Sequence, residues 1–241
     1  MKKTLPFIVG LCLGVLQLSA QTNTNQNKFK QLKQELADPN VYRTAAGTPG
    51  HQYYQQQADY IMDIRLDDEN QKIYGEESIT YTNNSPDQLN YLWVQLDQNV
   101  RARDSDRNKV STSSVSGSTS FKQLKRLMND FDGGFKIESV KNSDDSPLNY
   151  TINKTMLRVD LDKPLQAGEK FSFKIKWWYN INDRMKIGGR SGYEYFEEED
   201  NYLYTIAQFF PRMAVYNDVE GWQNKQFLGR GEFTLPFGNY T

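Results

Sequence analysis

One histidine and one cysteine are all that this sequence offers toward the commonest catalytic and metal chemistries. His51 stands in the polar stretch TPGHQYY, ahead of the first strand-like segment. A catalytic zinc site takes three protein ligands, commonly including two or three histidines, and the H-E-x-x-H pattern is absent. A Ser-His-Asp triad would have to be built on His51, yet no G-x-S-x-G elbow accompanies it. His51 therefore reads as a solvated histidine of an exposed segment. The run Glu197, Glu198, Glu199 and Asp200 supplies carboxylate oxygens of the kind calcium prefers. It lacks the alternating spacing and turn glycine of a calcium loop, so it reads as a solvated, charged turn. Gly133-Gly134 and Gly188-Gly189 open no strand–loop–helix phosphate cradle and read as turns. Other carboxylates alternate with basic residues, and nothing pairs two of them across a cleft. The expectation is a chain with no catalytic residues and no metal ligands of its own.

The elements that hold these residues begin after a leader. Residues 1–20, MKKTLPFIVGLCLGVLQLSA, have a basic start, an apolar stretch too short to span a bilayer comfortably, and small residues at Ser19 and Ala20. This is the pattern of a cleaved secretory signal, predicting a secreted or periplasmic product with no membrane association after cleavage near Ala20/Gln21. Cys12 lies inside the apolar stretch, with more apolar sequence behind it, which argues against a lipidated cysteine. The product after cleavage then has no cysteine, so neither disulfides nor thiol chemistry is available to it. Removing Lys2 and Lys3 from 29 basic side chains leaves 27 against 30 acidic ones. That near-balance is unlike the basic footprint of a nucleic-acid binder.

Residues 21–52 form a polar leader in which only KFKQLKQELAD (28–38) has helical spacing, through Phe29, Leu32 and Leu36. From residue 58 the period becomes two. ADYIMDIRLD puts Tyr60, Met62, Ile64 and Leu66 on one face, and KIYGEESITYT does the same with Ile73, Gly75, Ile79 and Tyr81. LNYLWVQLD alternates Leu92, Val94 and Leu96 against Tyr91 and Trp93. DDEN and NNSP are turns between these strands. Residues 100–120 contain little to bury and read as a surface excursion. FKQLKRLMNDF (121–131) has helical spacing and ends at Gly133-Gly134. FKIESV, LNYTI, TMLRVDLD and FSFKIKWWYNI resume the strands, and EYFEEEDNYLYTIAQFF follows the loop IGGRSG. The fold class is mainly β: an antiparallel, saddle-like sheet or sandwich over 53–241 with one short inserted helix.

Two passages at the ends of this β domain resemble the amino-terminal domain of the M1 zinc metallopeptidases, in particular the secreted, Bacteroidetes-type aminopeptidase N-like enzymes. They are YYQQQADYIMDIRLDDENQKIYGEESITYTNNSPDQLNYLWVQLDQN (53–99) and TIAQFFPRMAVYNDVEGWQNKQFLGRGEFTLPFG (205–238). The first is similar to the family's opening strands and the second to its "Q-F-x-P" passage, in the same order; residues 100–190 match only as generic strands. The resemblance implies a β domain packed against a thermolysin-like catalytic domain that carries the zinc and lies outside this chain. Zinc belongs to the full-length family enzyme, and none is expected here. It also implies a substrate-binding position at Gln208, which matches the glutamine that reaches toward the peptide's free amino end. The family's acidic residue two positions on is replaced by Phe210, which cannot hold an ammonium group. Arg212 and Asp218 read as a structural ion pair or as turn contacts.

The function expected from this is a non-catalytic domain shaping the substrate cleft of a secreted M1-like zinc aminopeptidase, with a catalytic domain and a peptide as its partners. The alternative is a stand-alone secreted β module that binds peptide or glycan through exposed Tyr and Trp rings, although such rings on strands are more commonly ordinary sheet packing. The two differ in their surfaces: the first predicts an exposed apolar patch around residues 205–235.

Overall fold

The computed structural model describes residues 39–110, 130–231 and 234–241, together with 118, 120 and 121. The signal-like segment, the helix expected over 28–38 and most of the helix expected over 121–131 lie outside the described residues. Seven strands come first: β1 (Gln57–Asp67), β2 (Lys72–Thr82), β3 (Leu89–Gln95), β4 (Lys136–Asn142), β5 (Tyr150–Asn153), β6 (Met156–Leu165) and β7 (Lys170–Asn180). Five shorter ones follow: β8 (Gly192–Phe196), β9 (Asn201–Thr205), β10 (Arg212–Met213), β11 (Tyr216–Asn217) and β12 (Gly221–Trp222). Helical structure among the described residues includes a 3-10 turn at Asp97–Arg101 and the short helices α1 (Asp106–Val110) and α2 (Arg184–Ile187). The chain is thus mainly β, as expected.

Two four-stranded antiparallel sheets carry the core, in the orders β1-β2-β7-β4 and β10-β3-β6-β5. β1 and β2 pair over their whole length, from Gln57 opposite Thr82 to Asp67 opposite Lys72. β2 then pairs with β7 from Lys72 opposite Asn180 to Thr82 opposite Lys170. Because side chains alternate, β2 sends Ile73, Gly75, Glu77, Ile79 and Tyr81 inward, beside Phe173, Ile175, Trp177 and Tyr179 of β7. The second sheet answers with Leu92, Val94, Leu157, Val159 and Met213, and the two inner faces form one hydrophobic cluster. Full burial of a side chain of this size contributes about 1.5–3 kcal/mol, which makes the cluster the main source of stability. Gly75 is required at its place: the Trp177 indole lies over it, and any Cβ would strike the ring.

One edge departs from the antiparallel rule. Residues 237–241 lie along β1 in parallel, with Gln57 facing Phe237 and Tyr60 facing Tyr240. The amides of Ala58, Tyr60 and Met62 donate to the carbonyls of Phe237, Asn239 and Thr241 at 2.7–2.8 Å. Gly238 passes so close to the Ala58 carbonyl that no side chain would fit. At the amino-terminal side, residues 39–52 form a turn closed by Gly50 N–H to the Tyr42 carbonyl at 2.7 Å. Arg43 ties that turn to Asp218 with Nη2 at 2.9 Å.

Candidate functional site

The passage 205–213 leaves β9 at Thr205 and reaches the second sheet at β10, where Arg212 and Met213 pair with Gln95 and Val94. Between these ends the backbone makes no ladder, and buried side chains hold it instead. The Gln98 amide, at 3% exposure, donates to the carbonyls of Ala207 at 2.8 Å and Gln208 at 3.1 Å. Its oxygen accepts from Arg101 at 2.8 Å, which fixes the orientation of the amide. Ser191 completes the clamp by accepting the Ala207 N–H at 2.7 Å. Held this way, Gln208 takes φ +54°, a left-handed conformation uncommon for a residue with a side chain. Its own side-chain amide has no hydrogen-bond partner among the described residues and is partly exposed.

Beside it stands an aromatic wall. Phe210 packs edge-on against Tyr60 at 5.6 Å between ring centres and against Phe209 at 5.0 Å. Tyr240 stacks on Tyr60 at 5.0 Å and meets Phe210 edge-on at 6.1 Å. The Tyr60 hydroxyl accepts the Met213 N–H at 2.9 Å, joining β1 to β10. Burial pushes the Tyr60 phenol well above its ordinary range, so it stays neutral.

Charge lies beneath the wall. Arg212 pairs with Asp97, and both are buried, at 7% and 1% exposure. Desolvation raises the Asp97 carboxyl, and the neighbouring guanidinium offsets only part of that rise. Asp97 Oδ1 and Arg212 Nε have no partner among the described residues. Glu77, also 1% exposed, has neither oxygen paired, and burial raises its carboxyl well above the usual range. The pair read from sequence therefore exists as two pairs: Arg212 with Asp97, and Asp218 with Arg43.

Gln208 and Phe210 lie two residues apart in this loop, whose partners Tyr60, Tyr240, Gln98 and Ser191 sequence reasoning did not name. The only signal for Tyr60 was its inward position in β1, and Gln98 carried none. The sites set aside at the start are elsewhere: His51 is exposed in a turn, and residues 197–200 form the exposed tip of the β8–β9 hairpin. A separate cleft of about 400 Å³ is lined by Arg43, Glu220, Gln223 and Lys225. Its charges are engaged in the Arg43–Asp218 and Lys225–Glu220 pairs.

No protein-family model matches the sequence, and no curated protein matches it significantly. Among solved structures, the chain is similar to an M1 zinc metallopeptidase from Deinococcus radiodurans, with TM-score 0.34 and 10% identity over 77% of this chain and 29% of that one. A two-domain M1 zinc metallopeptidase variant bound to L-tryptophan overlaps with TM-score 0.32 and 9% identity, over 56% of this chain and 23% of that one. A GH20 exo-β-N-acetylglucosaminidase from Vibrio harveyi overlaps with TM-score 0.28 and 11% identity, over 68% and 18%. The chain thus spans between 23% and 29% of the length of these two metallopeptidases. Overlaps of this size assign neither a family nor a chemistry to it.

Proposed function

We propose that this chain is the non-catalytic β domain of a secreted M1-like zinc aminopeptidase, and that residues 206–211 form one lip of its substrate cleft. The proposed partner is a thermolysin-like catalytic domain outside these 241 residues. The observation that carries the reading is Gln208: its backbone is clamped by Gln98 and Ser191 in a left-handed conformation, while its amide is left free beside an aromatic wall. Backbone strain held in place by surrounding hydrogen bonds is characteristic of positions that meet a ligand. An amide of this kind suits the backbone of a peptide. Phe210, turned into the wall, offers a free ammonium group no charge, so this lip recognises the peptide by hydrogen bonding and apolar contact.

The intact mass of the native product in the source cells tests this reading. A species several times larger than the chain is expected, and in it Gln208→Ala should raise KM for peptides more than it lowers kcat. A native product that ends at Thr241 would remove the proposal. It would leave the alternative, a self-sufficient module binding peptide or glycan. That alternative draws on the ladder of Tyr193, Tyr195, Tyr202 and Tyr204 along the β8–β9 hairpin, whose closest ring centres are 4.9 Å apart. A saturable glycan isotherm on this chain would favour it.

A further inference from the structure

The β11–β12 hairpin and the turn of residues 39–52 meet at a cleft that shares no lining residue with the 206–211 loop. Their junction is the Arg43–Asp218 pair, in which Nε lies 3.0 Å from both carboxylate oxygens and Nη2 lies 2.9 Å from one of them. The Asp218 side chain is only 6% exposed there, and the guanidinium also lies over the Tyr53 ring at 5.5 Å. A fork of this kind fixes two planar groups in one geometry, so the two walls are held relative to each other. The cleft measures about 400 Å³, a size at which small molecules are bound.

Two amides line it with their oxygens committed and their nitrogens free. Asn217 Oδ1 accepts the N–H groups of Val219 and Glu220 at 3.1 and 3.0 Å, which closes the hairpin turn. Gln223 Oε1 accepts the Thr234 hydroxyl at 2.9 Å. Both side chains are half-buried, and an amide whose oxygen is held has its two N–H donors oriented as well. Asn217 Nδ2, Gln223 Nε2 and Arg43 Nη1 have no partner among the described residues. Glu220 supplies the acceptor: its two oxygens each hold Lys225 at 3.0 Å and keep a lone pair to spare.

We infer that this cleft is a binding site for a neutral sugar. Charge argues against an ionic occupant, because Arg43 and Lys225 are offset one for one by Asp218 and Glu220. What remains is a set of fixed donors beside a carboxylate acceptor. A hydroxyl both donates and accepts, so neighbouring hydroxyls of a pyranose accept from the amides and donate to Glu220 at the same time. Val219, 50% exposed, gives the C–H face of the ring an apolar contact. It is the single apolar residue of the lining, which leaves little for the side chains of a peptide. The inference stands on this cleft alone and does not need the peptidase reading.

Nuclear magnetic resonance on the nitrogen-15-labelled chain reads the two side-chain NH₂ groups directly. Titration with D-glucose, D-galactose, D-mannose and N-acetyl-D-glucosamine should move the Asn217 and Gln223 signals saturably for at least one of them. The Kd should be about 1 mM or weaker, as suits a single ring in an open site. Sodium glucuronate, an anionic counterpart, should bind no more tightly than the best of these. Asn217→Asp and Gln223→Glu keep the oxygens that hold Val219, Glu220 and Thr234 and remove only the free donors. Each should weaken binding about fivefold, the worth of one hydrogen bond, while Tyr202→Ala on the β8–β9 hairpin leaves it unchanged. The inference is overturned if no sugar moves the two signals, if either cleft variant binds as the parent chain does, or if glucuronate binds more tightly. Binding that survives both cleft variants and is lost in Tyr202→Ala would put the sugar on the tyrosine ladder instead.

Discussion

Asp97 and Glu77 are buried to the same depth, each 1% exposed, yet only Asp97 has a counter-ion. Their surroundings explain the difference. Glu77 sits in the middle of β2, where the ladder is complete and its cross-strand neighbours are Met62 and Ile175. The backbone there needs no help, and the carboxyl is simply a polar group on an apolar face. Asp97 sits where β3 has ended and the 3-10 turn begins, opposite a strand β10 of only two residues. There the backbone supplies few bonds, so the pair with Arg212 helps determine where β10 docks. Burying a charge is a poor way to gain stability, but a paired charge can select one arrangement over others. The regular region tolerates a liability, whereas the irregular region depends on its charge pair.

The sharpest way to break this comparison is to remove one member of the pair. Arg212→Met leaves Asp97 buried without a counter-ion, and unfolding by urea should show a loss of about 3–5 kcal/mol. The double variant Asp97→Leu with Arg212→Met should recover most of that loss, because both charges go together. A single variant that loses less than about 1 kcal/mol would mean that the pair behaves like a surface contact.

Glu77 predicts the opposite sign. Glu77→Met removes two unsatisfied oxygens from an apolar face and should stabilise the chain at neutral pH by about 1–3 kcal/mol. The pH dependence follows from the raised carboxyl. The native state holds the proton at pH values where the unfolded chain, with its glutamate near about 4.3, has released it. Stability linked to Glu77 is therefore fully present below the unfolded value and falls as pH climbs toward the native one. Denaturation midpoints measured from acid to neutral pH should therefore fall for the parent chain relative to those of Glu77→Met. Equal slopes would show that Glu77 is paired or hydrated in solution.

The same contrast separates what was legible in the sequence from what was not. The alternation in ADYIMDIRLD, KIYGEESITYT and FSFKIKWWYNI became β1, β2 and β7 almost residue for residue, because period two is a local property of a half-buried strand. That alternation also puts Glu77 on the inner face with Ile73 and Ile79, so its burial follows once the strand is accepted. Asp97 could not be read that way. The segment LNYLWVQLD reads as strand to its end, but the strand stops at Gln95 and Asp97 turns to a partner 115 residues away. Arg212 and Asp218 read as partners because they are near in sequence, yet each is bound to a residue from elsewhere. The left-handed backbone of Gln208 depends on the Gln98 amide, which is 110 residues distant. The parallel placement of 237–241 likewise rests on Asp59, whose carboxylate accepts the Asn239 N–H at 2.9 Å.

Gln98 offers a smaller perturbation within the irregular region. Gln98→Ala removes the amide that holds two carbonyls and should destabilise the chain by about 1 kcal/mol. Hydrogen exchange should show the change confined to residues 205–211, with the β1–β2–β7 ladder as protected as before. Exchange that rises across the whole sheet would mean that the loop and the ladder unfold as one unit.

The smallest expected effect concerns Gln208 itself, and it separates stability from purpose. A residue with a Cβ in the left-handed region is disfavoured by about 1–2 kcal/mol, while glycine adopts that region freely but loses more entropy on folding. Gln208→Gly should therefore leave the chain slightly more stable, by less than about 1 kcal/mol. Had the position served packing alone, the glycine variant would gain stability with nothing lost. If the free amide meets a peptide, the same substitution weakens peptide recognition while thermal stability is held or improved, and Gln208→Asn, which also tolerates this backbone, keeps part of the recognition. A glycine variant that destabilises the chain would show instead that the glutamine side chain packs in solution, and the contrast between a clamped backbone and a free amide would no longer hold.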